Sequence, residues 1–241
     1  MITDMNNAQF TPTINAKALK AKNKYVCWID TMGTQNTMSE SLAKSANFIL
    51  KLHAVILEAA KLYENTVTVY PVMDGAYITC GNKENITSVI KRVYNNLYKV
   101  FREEQDFDKR FIIRGALAYG EIIDGNLLTE HVTTDIDQDY KNNILLGMPI
   151  IQAYRSESLS PPYGIFIHES ARKFDVSHKI QGKTFRWWRA DEGKDIGKAI
   201  ISYFKWCKYN RVLLDMDVSK IQNYINSVEA YFIPYEPEEE E

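Results

Sequence analysis

Two aspartates close short β-rich runs. Asp30 ends YVCWID (Tyr25–Asp30), and Asp74 sits at the tip of VYPVMDGAYITC, in the turn of a predicted hairpin. If the two strands are sheet neighbours, both carboxylates meet at one edge. Like charges brought that close repel unless a proton or a cation intervenes. Hard oxygen ligands of this kind suit Mg²⁺ or Mn²⁺, above all when substrate phosphates supply the remaining ligands. The plainer reading is that Asp30 caps a strand and Asp74 favours the bend before Gly75.

The elements that would position this pair follow from periodicity. The capping-box spacing of Thr37 and Glu40 predicts a helix start. Leu42, Ala46, Ile49, Leu52, Ile56, Ala59 and Tyr63 then give it an apolar face. Strands are predicted at Val67–Tyr70 and Ala76–Cys80, followed by a second helix marked by Ile86, Ile90, Val93, Leu97 and Phe101. RFIIRGALAYGEII reads as a strand with a second beginning after Gly120. Asn126–Tyr140 reads as an exposed loop. Helical spacing resumes after Gly147, YGIFIHES and KTFRWWRA are strand candidates, and Asp195–Lys208 and Val218–Phe232 read as helices. The order predicts an α/β sandwich, a mixed and mostly antiparallel sheet covered by helices. The expected organisation is a loose leader over 1–23, a catalytic domain over 24–195, a helical segment over 196–235 and an acidic tail over 236–241.

The chain has 241 residues, is 45% hydrophobic and carries a formal charge of −2. That supports a full core and gives no basic field for nucleic acid. No apolar run is long enough for a membrane span, and three cysteines without a signal peptide predict a reduced, cytosolic protein. The four histidines lack zinc spacing, and His53 reads as a helix-surface residue. The tryptophans of RWWRA read as core. Asp135, Asp137 and Asp139 lack the glycine and glutamate that a calcium loop requires.

Four stretches together resemble the class III nucleotidyl cyclases. WIDTMGTQ is similar to that family's first metal motif, Phe-x-Asp-Ile-x-Gly-Phe-Thr, and YPVMDGAYI to its second, Lys-x-x-Gly-Asp. IIRGALAYGEI resembles the strand motif Arg-x-Gly-x-x-x-Gly, with Ala116 on the middle glycine. GMPIIQAYRSES resembles the helix motif Gly-x-x-Val-Asn-x-Ala-x-Arg. The likeness spans about 25–190. It implies the ferredoxin-like class III cyclase fold, with Asp30, Asp74 and the Thr31 carbonyl holding two divalent ions, Mn or Mg. It also implies Gly33 and Thr34 in the phosphate loop, and Arg155 stabilising charge on the α-phosphate, for which the plain alternative is a surface helix residue.

The departures bear on substrate. Tyr70 stands where the family's purine enzymes read the base with lysine or glutamate, and Ile144 where adenylyl enzymes have aspartate. Ile151 falls on the transition-state asparagine and Met73 on the glycine before the second aspartate. A tyrosine at position 70 resembles the bacterial pyrimidine cyclases of Pycsar anti-phage systems. Those make cyclic UMP or cyclic CMP from UTP or CTP for a separate effector. Arg114 is a candidate donor to a uracil carbonyl, or else a structural ion-pair partner, and the first role favours UTP. The resemblance implies a homodimer with sites shared between protomers. A cyclase-like module that binds nucleotide without turnover is the reading from another class.

Overall fold

The computed structural model describes residues 20–125, 127, 138–174, 179–180, 183–210 and 218–233. The leader up to 19, most of the predicted 126–140 loop with Asp135 and Asp137, and the acidic tail lie outside the described residues. β1 (Lys22–Thr31) is followed by α1 (Thr34–Glu40), α2 (Leu42–Lys61), the hairpin β2 (Val67–Val72) and β3 (Gly75–Cys80), and α3 (Lys83–Glu103). Then come β4 (Ile113–Asp124), α4 (Gln138–Asn143), β5 (Leu145–Leu146), α5 (Met148–Ser156) and β6 (Ile165–Ile167). β7 (Lys179–Ile180), β8 (Thr184–Phe185), α6 (Gly193–Tyr209) and α7 (Val218–Phe232) follow among the described residues.

The sheet runs β2-β3-β1-β4-β6-β8-β7, with β5 paired to β4, and among the described residues only the β4–β6 pairing is parallel. It is the mixed, mostly antiparallel sheet that the sequence predicts. β1 is paired along both edges, so its side chains divide between two buried faces. Cys27 and Ile29 point into the larger core under α2 and α3, while Val26 and Trp28 join Ala118, Ile122 and Ala153 beneath α5. α3 buries Ile86, Val89, Ile90, Val93, Tyr94, Leu97 and Phe101. Each such side chain contributes about 1.5–3 kcal/mol of transfer free energy before ordering entropy is charged. α6 and α7 share that larger core: Trp188 packs on Phe232 at 4.4 Å and Tyr203 on Phe101 at 5.6 Å between ring centroids.

The structure departs from the sequence reading at several elements. The first helix is broken: Ser41 is extended (φ −157°, ψ 109°) and caps α2 by accepting from Lys44 N, so the effective cap is Ser41 rather than Thr37. The buried stripe of α2 is accordingly Ser45, Phe48, Leu52, Ile56, Ala59 and Ala60, with Leu42 exposed. β4 continues through Gly120 as one strand, because Gly120 adopts φ 156° within the ladder to β1. Trp187 and Trp188 are core residues as expected, but they lie beyond the two-residue strand β8.

Gly75, beside Asp74, serves packing. A Cβ there would stand 2.5 Å from the Trp28 ring and 2.7 Å from the Ile29 carbonyl. Gly75→Ala should therefore cost about 1–3 kcal/mol by overpacking. Gly81→Ala, whose nearest neighbour would be Asn23 O at 3.9 Å, should stay within about 0.5 kcal/mol of wild type. Urea melts of the two variants give the comparison, and equal midpoints would remove this role from Gly75.

Candidate active site

Sheet register assembles the site. Asp30 pairs with Gly75 on one side and with Arg114 on the other. Paired residues in a ladder face the same way, so Asp30, Arg114 and the neighbourhood of Asp74 share the α5 face at one end of the sheet. Val72 pairs with Gly75, leaving Met73 and Asp74 as a two-residue hairpin turn. Met73 takes φ 51°, a conformation that costs a side-chain-bearing residue about 1 kcal/mol. This is the position where the resembled motif has glycine, and Met73 is left 82% exposed.

The turn is stapled in place. Thr31 Oγ1 donates to the Asp74 carbonyl at 3.2 Å and shares a short hydrogen bond with the Thr34 hydroxyl. Thr34 Oγ1 also reaches the Thr31 carbonyl at 3.1 Å. Both threonines are buried, so their hydroxyls are committed to holding loop against hairpin. Gly33 turns the chain between β1 and α1 with φ 80°. From α2, His53 Nε2 lies 2.9 Å from the Gly75 carbonyl. His53 is thus a half-buried tie to the hairpin and not a surface residue, a role that lone-histidine spacing does not signal.

The electrostatics are those of crowded acids. Burial raises the Asp30 pKa to about 7, and the carboxylates of Asp74 and Glu157 add to the rise. The Thr31 amide, which donates to Asp30 Oδ1 at 2.8 Å, and the Arg114 guanidinium oppose it. Glu157 follows α5 in a short 3-10 turn (Glu157–Leu159), is 8% exposed, and places Oε1 2.6 Å from Arg114 Nε. Burial raises its pKa too, against the pull of Arg114. Glu157 is the site residue that sequence reasoning missed. The available signal was Arg114 itself: an arginine inside FIIRGALAY needs an anion once buried. Arg114 meets that need with Glu157.

Tyr70 and Arg155 face elsewhere. Tyr70 is buried on β2, with its phenol pKa raised to about 12 by burial and then by Asp124. It lines a cavity of about 440 Å³ with Thr68, Lys141 and Asn142. Arg155 is exposed at the end of α5 and opens onto a cavity of about 560 Å³ shared with His168, Arg172 and Lys183. Neither cavity is lined by Asp30 or Asp74. Ile151 lies on the exposed side of α5 with Met148 and Tyr154, and Ile144 is half-buried.

No protein-family model matches the sequence, and no curated protein does. Solved structures do match. The monomeric guanylyl cyclase domain of the RhoGC fusion protein from the aquatic fungus Blastocladiella emersonii is 18% identical. The match covers 69% of this chain and 96% of that one, with a TM-score of 0.50. A bacterial light-regulated adenylyl cyclase is 14% identical over 66% of this chain and 82% of its own, also at 0.50. The fold is that of the class III cyclase catalytic domain. It extends past the part that these cyclases share.

Among the described residues, no three His, Cys, Asp or Glu side chains converge into a ready-made metal cage. With all four groups ionised, the three carboxylates and one guanidinium nevertheless leave an excess of two negative charges at the sheet end. A pair of aspartates with open coordination fits a hard divalent ion that completes its shell from water and phosphate oxygens. Also among the described residues, no helix is long and apolar enough to cross a membrane.

The raised Asp30 pKa has a signed consequence. The folded state holds this proton more tightly than the unfolded chain does. The contribution of Asp30 to stability is therefore full below pH 3.8 and is lost as pH rises through about 7. Asp30→Asn should raise Tm at pH 8 and flatten its decline between pH 5 and 8 in metal-free buffer. A wild-type Tm that climbs over this window while the variant stays level would contradict the assignment.

Proposed function

We propose that the chain is a nucleotidyl cyclase that converts UTP into 3′,5′-cyclic UMP and pyrophosphate. Cyclic CMP from CTP is the alternative within the same class. The observation that carries the reading is the joining of Asp30 and Asp74 by sheet register, with Asp30 pushed up to about 7 by its surroundings. Such a pair is costly to fold and is repaid by cations. The cyclase fold, the Gly33 turn and Tyr70 in the base-reading position support it.

In this reading the ribose 3′-oxygen attacks the α-phosphorus in line. The new O–P bond forms as the bond to pyrophosphate breaks, and the hydroxyl proton leaves to solvent. Asp30, Asp74 and the Thr31 carbonyl would hold two divalent ions, Mn or Mg. When bound, the ions ease deprotonation of the hydroxyl and compensate the charge of the β- and γ-phosphates. Gly33 and Thr34 form the loop that takes the phosphates, with the Thr34 hydroxyl already committed to the Thr31 carbonyl. Arg155 supplies its guanidinium to the α-phosphate. Because Tyr70 and Arg155 face cavities away from their own carboxylates, each completes the site of a second protomer in a head-to-tail homodimer. The exposed Met148, Ile151 and Tyr154 on α5 give that contact an apolar surface.

The product is a second messenger for a separate effector in anti-phage defence, and the setting is the cytoplasm. The Arg114–Glu157 pair favours the structural role for Arg114 over contact with uracil, so Tyr70 carries the pyrimidine reading and the product assay decides between UTP and CTP. The domain limits read from sequence stand as part of this proposal, with a catalytic unit over 24–195 and an added helical segment after it.

Incubation with each of the four nucleoside triphosphates and Mn²⁺, with chromatography of the products, tests the proposal. One cyclic pyrimidine product is expected. Asp30→Asn or Asp74→Asn should lower the rate by roughly 100-fold or more. Tyr70→Phe should raise KM for UTP by about tenfold, the worth of one hydrogen bond. Binding of nucleotide with no product would instead favour an inactive cyclase-like regulatory module.

A further inference from the structure

Arg114 has two anionic claimants within reach. Asp30 stands directly across the β1–β4 ladder, one strand spacing away on the same face. Glu157 comes from the end of α5 and holds Arg114 Nε at 2.6 Å. Both members of this ion pair are largely shielded from water, at 18% and 11% side-chain exposure, so the contact is little screened. We propose that Glu157 is a positioning residue: it holds the Arg114 guanidinium back from Asp30 and Asp74, so that the two aspartates stay open to divalent cations. The inference rests on the metal-binding reading of those aspartates.

The charge count gives the reason. With every group ionised, Asp30, Asp74 and Glu157 against Arg114 leave a net charge of −2. Without the Glu157 charge the cluster falls to −1, and the freed guanidinium turns to the nearest carboxylates. Its planar fork matches a carboxylate bidentately and would occupy the oxygens that a cation needs. Removing both Arg114 and Glu157 charges returns the cluster to −2 with no internal competitor. A merely structural ion pair predicts another pattern, in which either single loss and the double loss all do harm.

Titration of the full-length protein with Mn²⁺, read by the electron paramagnetic resonance signal of the free ion without nucleotide, separates the two. Thermal melts run alongside. Glu157→Gln should weaken Mn²⁺ binding roughly tenfold or more, as loss of a ligand-orienting partner does. The double variant R114Q/E157Q should return to wild-type affinity. Unchanged affinity in E157Q, or a double variant as weak as E157Q, overturns the positioning role while leaving the metal site standing. If E157Q melts too early to titrate, the double variant decides alone, since weak binding there overturns the role. Wild-type protein that binds no Mn²⁺, or binding that survives D30N/D74N, removes the metal assignment and the positioning role with it.

Discussion

The convergence of like-charged carboxylates at the end of a paired strand is the constraint on which the site depends. Asp30 and Asp74 are distant in sequence, and nothing local favours their meeting. What joins them is the ladder between β1 and β3, which fixes Asp30 opposite Gly75, and the two-residue turn that leaves Asp74 no freedom to retreat. Slipping that register by one residue would turn Asp30 into the apolar core beneath α2 and α3 and put Ile29 in its place. The core therefore enforces the acidic site, because Cys27 and Ile29 must stay buried for the sheet to hold.

Several side chains hold the hairpin against its own electrostatic cost. Thr31 bonds the Asp74 carbonyl, Thr34 bonds Thr31, and His53 reaches the Gly75 carbonyl from another element. Trp28 fills the space left open by Gly75. Arg114 and Glu157 add a buried ion pair to the same face. Burying such a pair gains little net stability, because desolvation offsets much of the attraction. Its value here lies in where it puts charge.

Much of this was legible in sequence, and the reasons differ by element. α3 and α7 were readable because their apolar positions recur at helical spacing over four or more turns. The two aspartates were readable because each sits where a strand stops. The break at Ser41 was not, because a serine inside helical periodicity reads equally well as a surface residue or as a new cap. Glu157 was hidden for a similar reason: in YRSES, one carboxylate among serines looks solvated, and only the fold brings Arg114 to it. The continuity of β4 through Gly120 was missed because glycine inside a strand marks a break as often as a bend.

The interleaving of α6 and α7 with the sheet has a bearing on how the chain can be divided. Trp187 and Phe101 are covered from the C-terminal side by Phe232 and Tyr203, and Tyr231 donates to the Phe185 carbonyl at the far end of the sheet. Cutting the chain before α6 would strip aromatic surface from this assembly. The folding unit thus includes α6 and α7, and fusion or excision points belong outside α7.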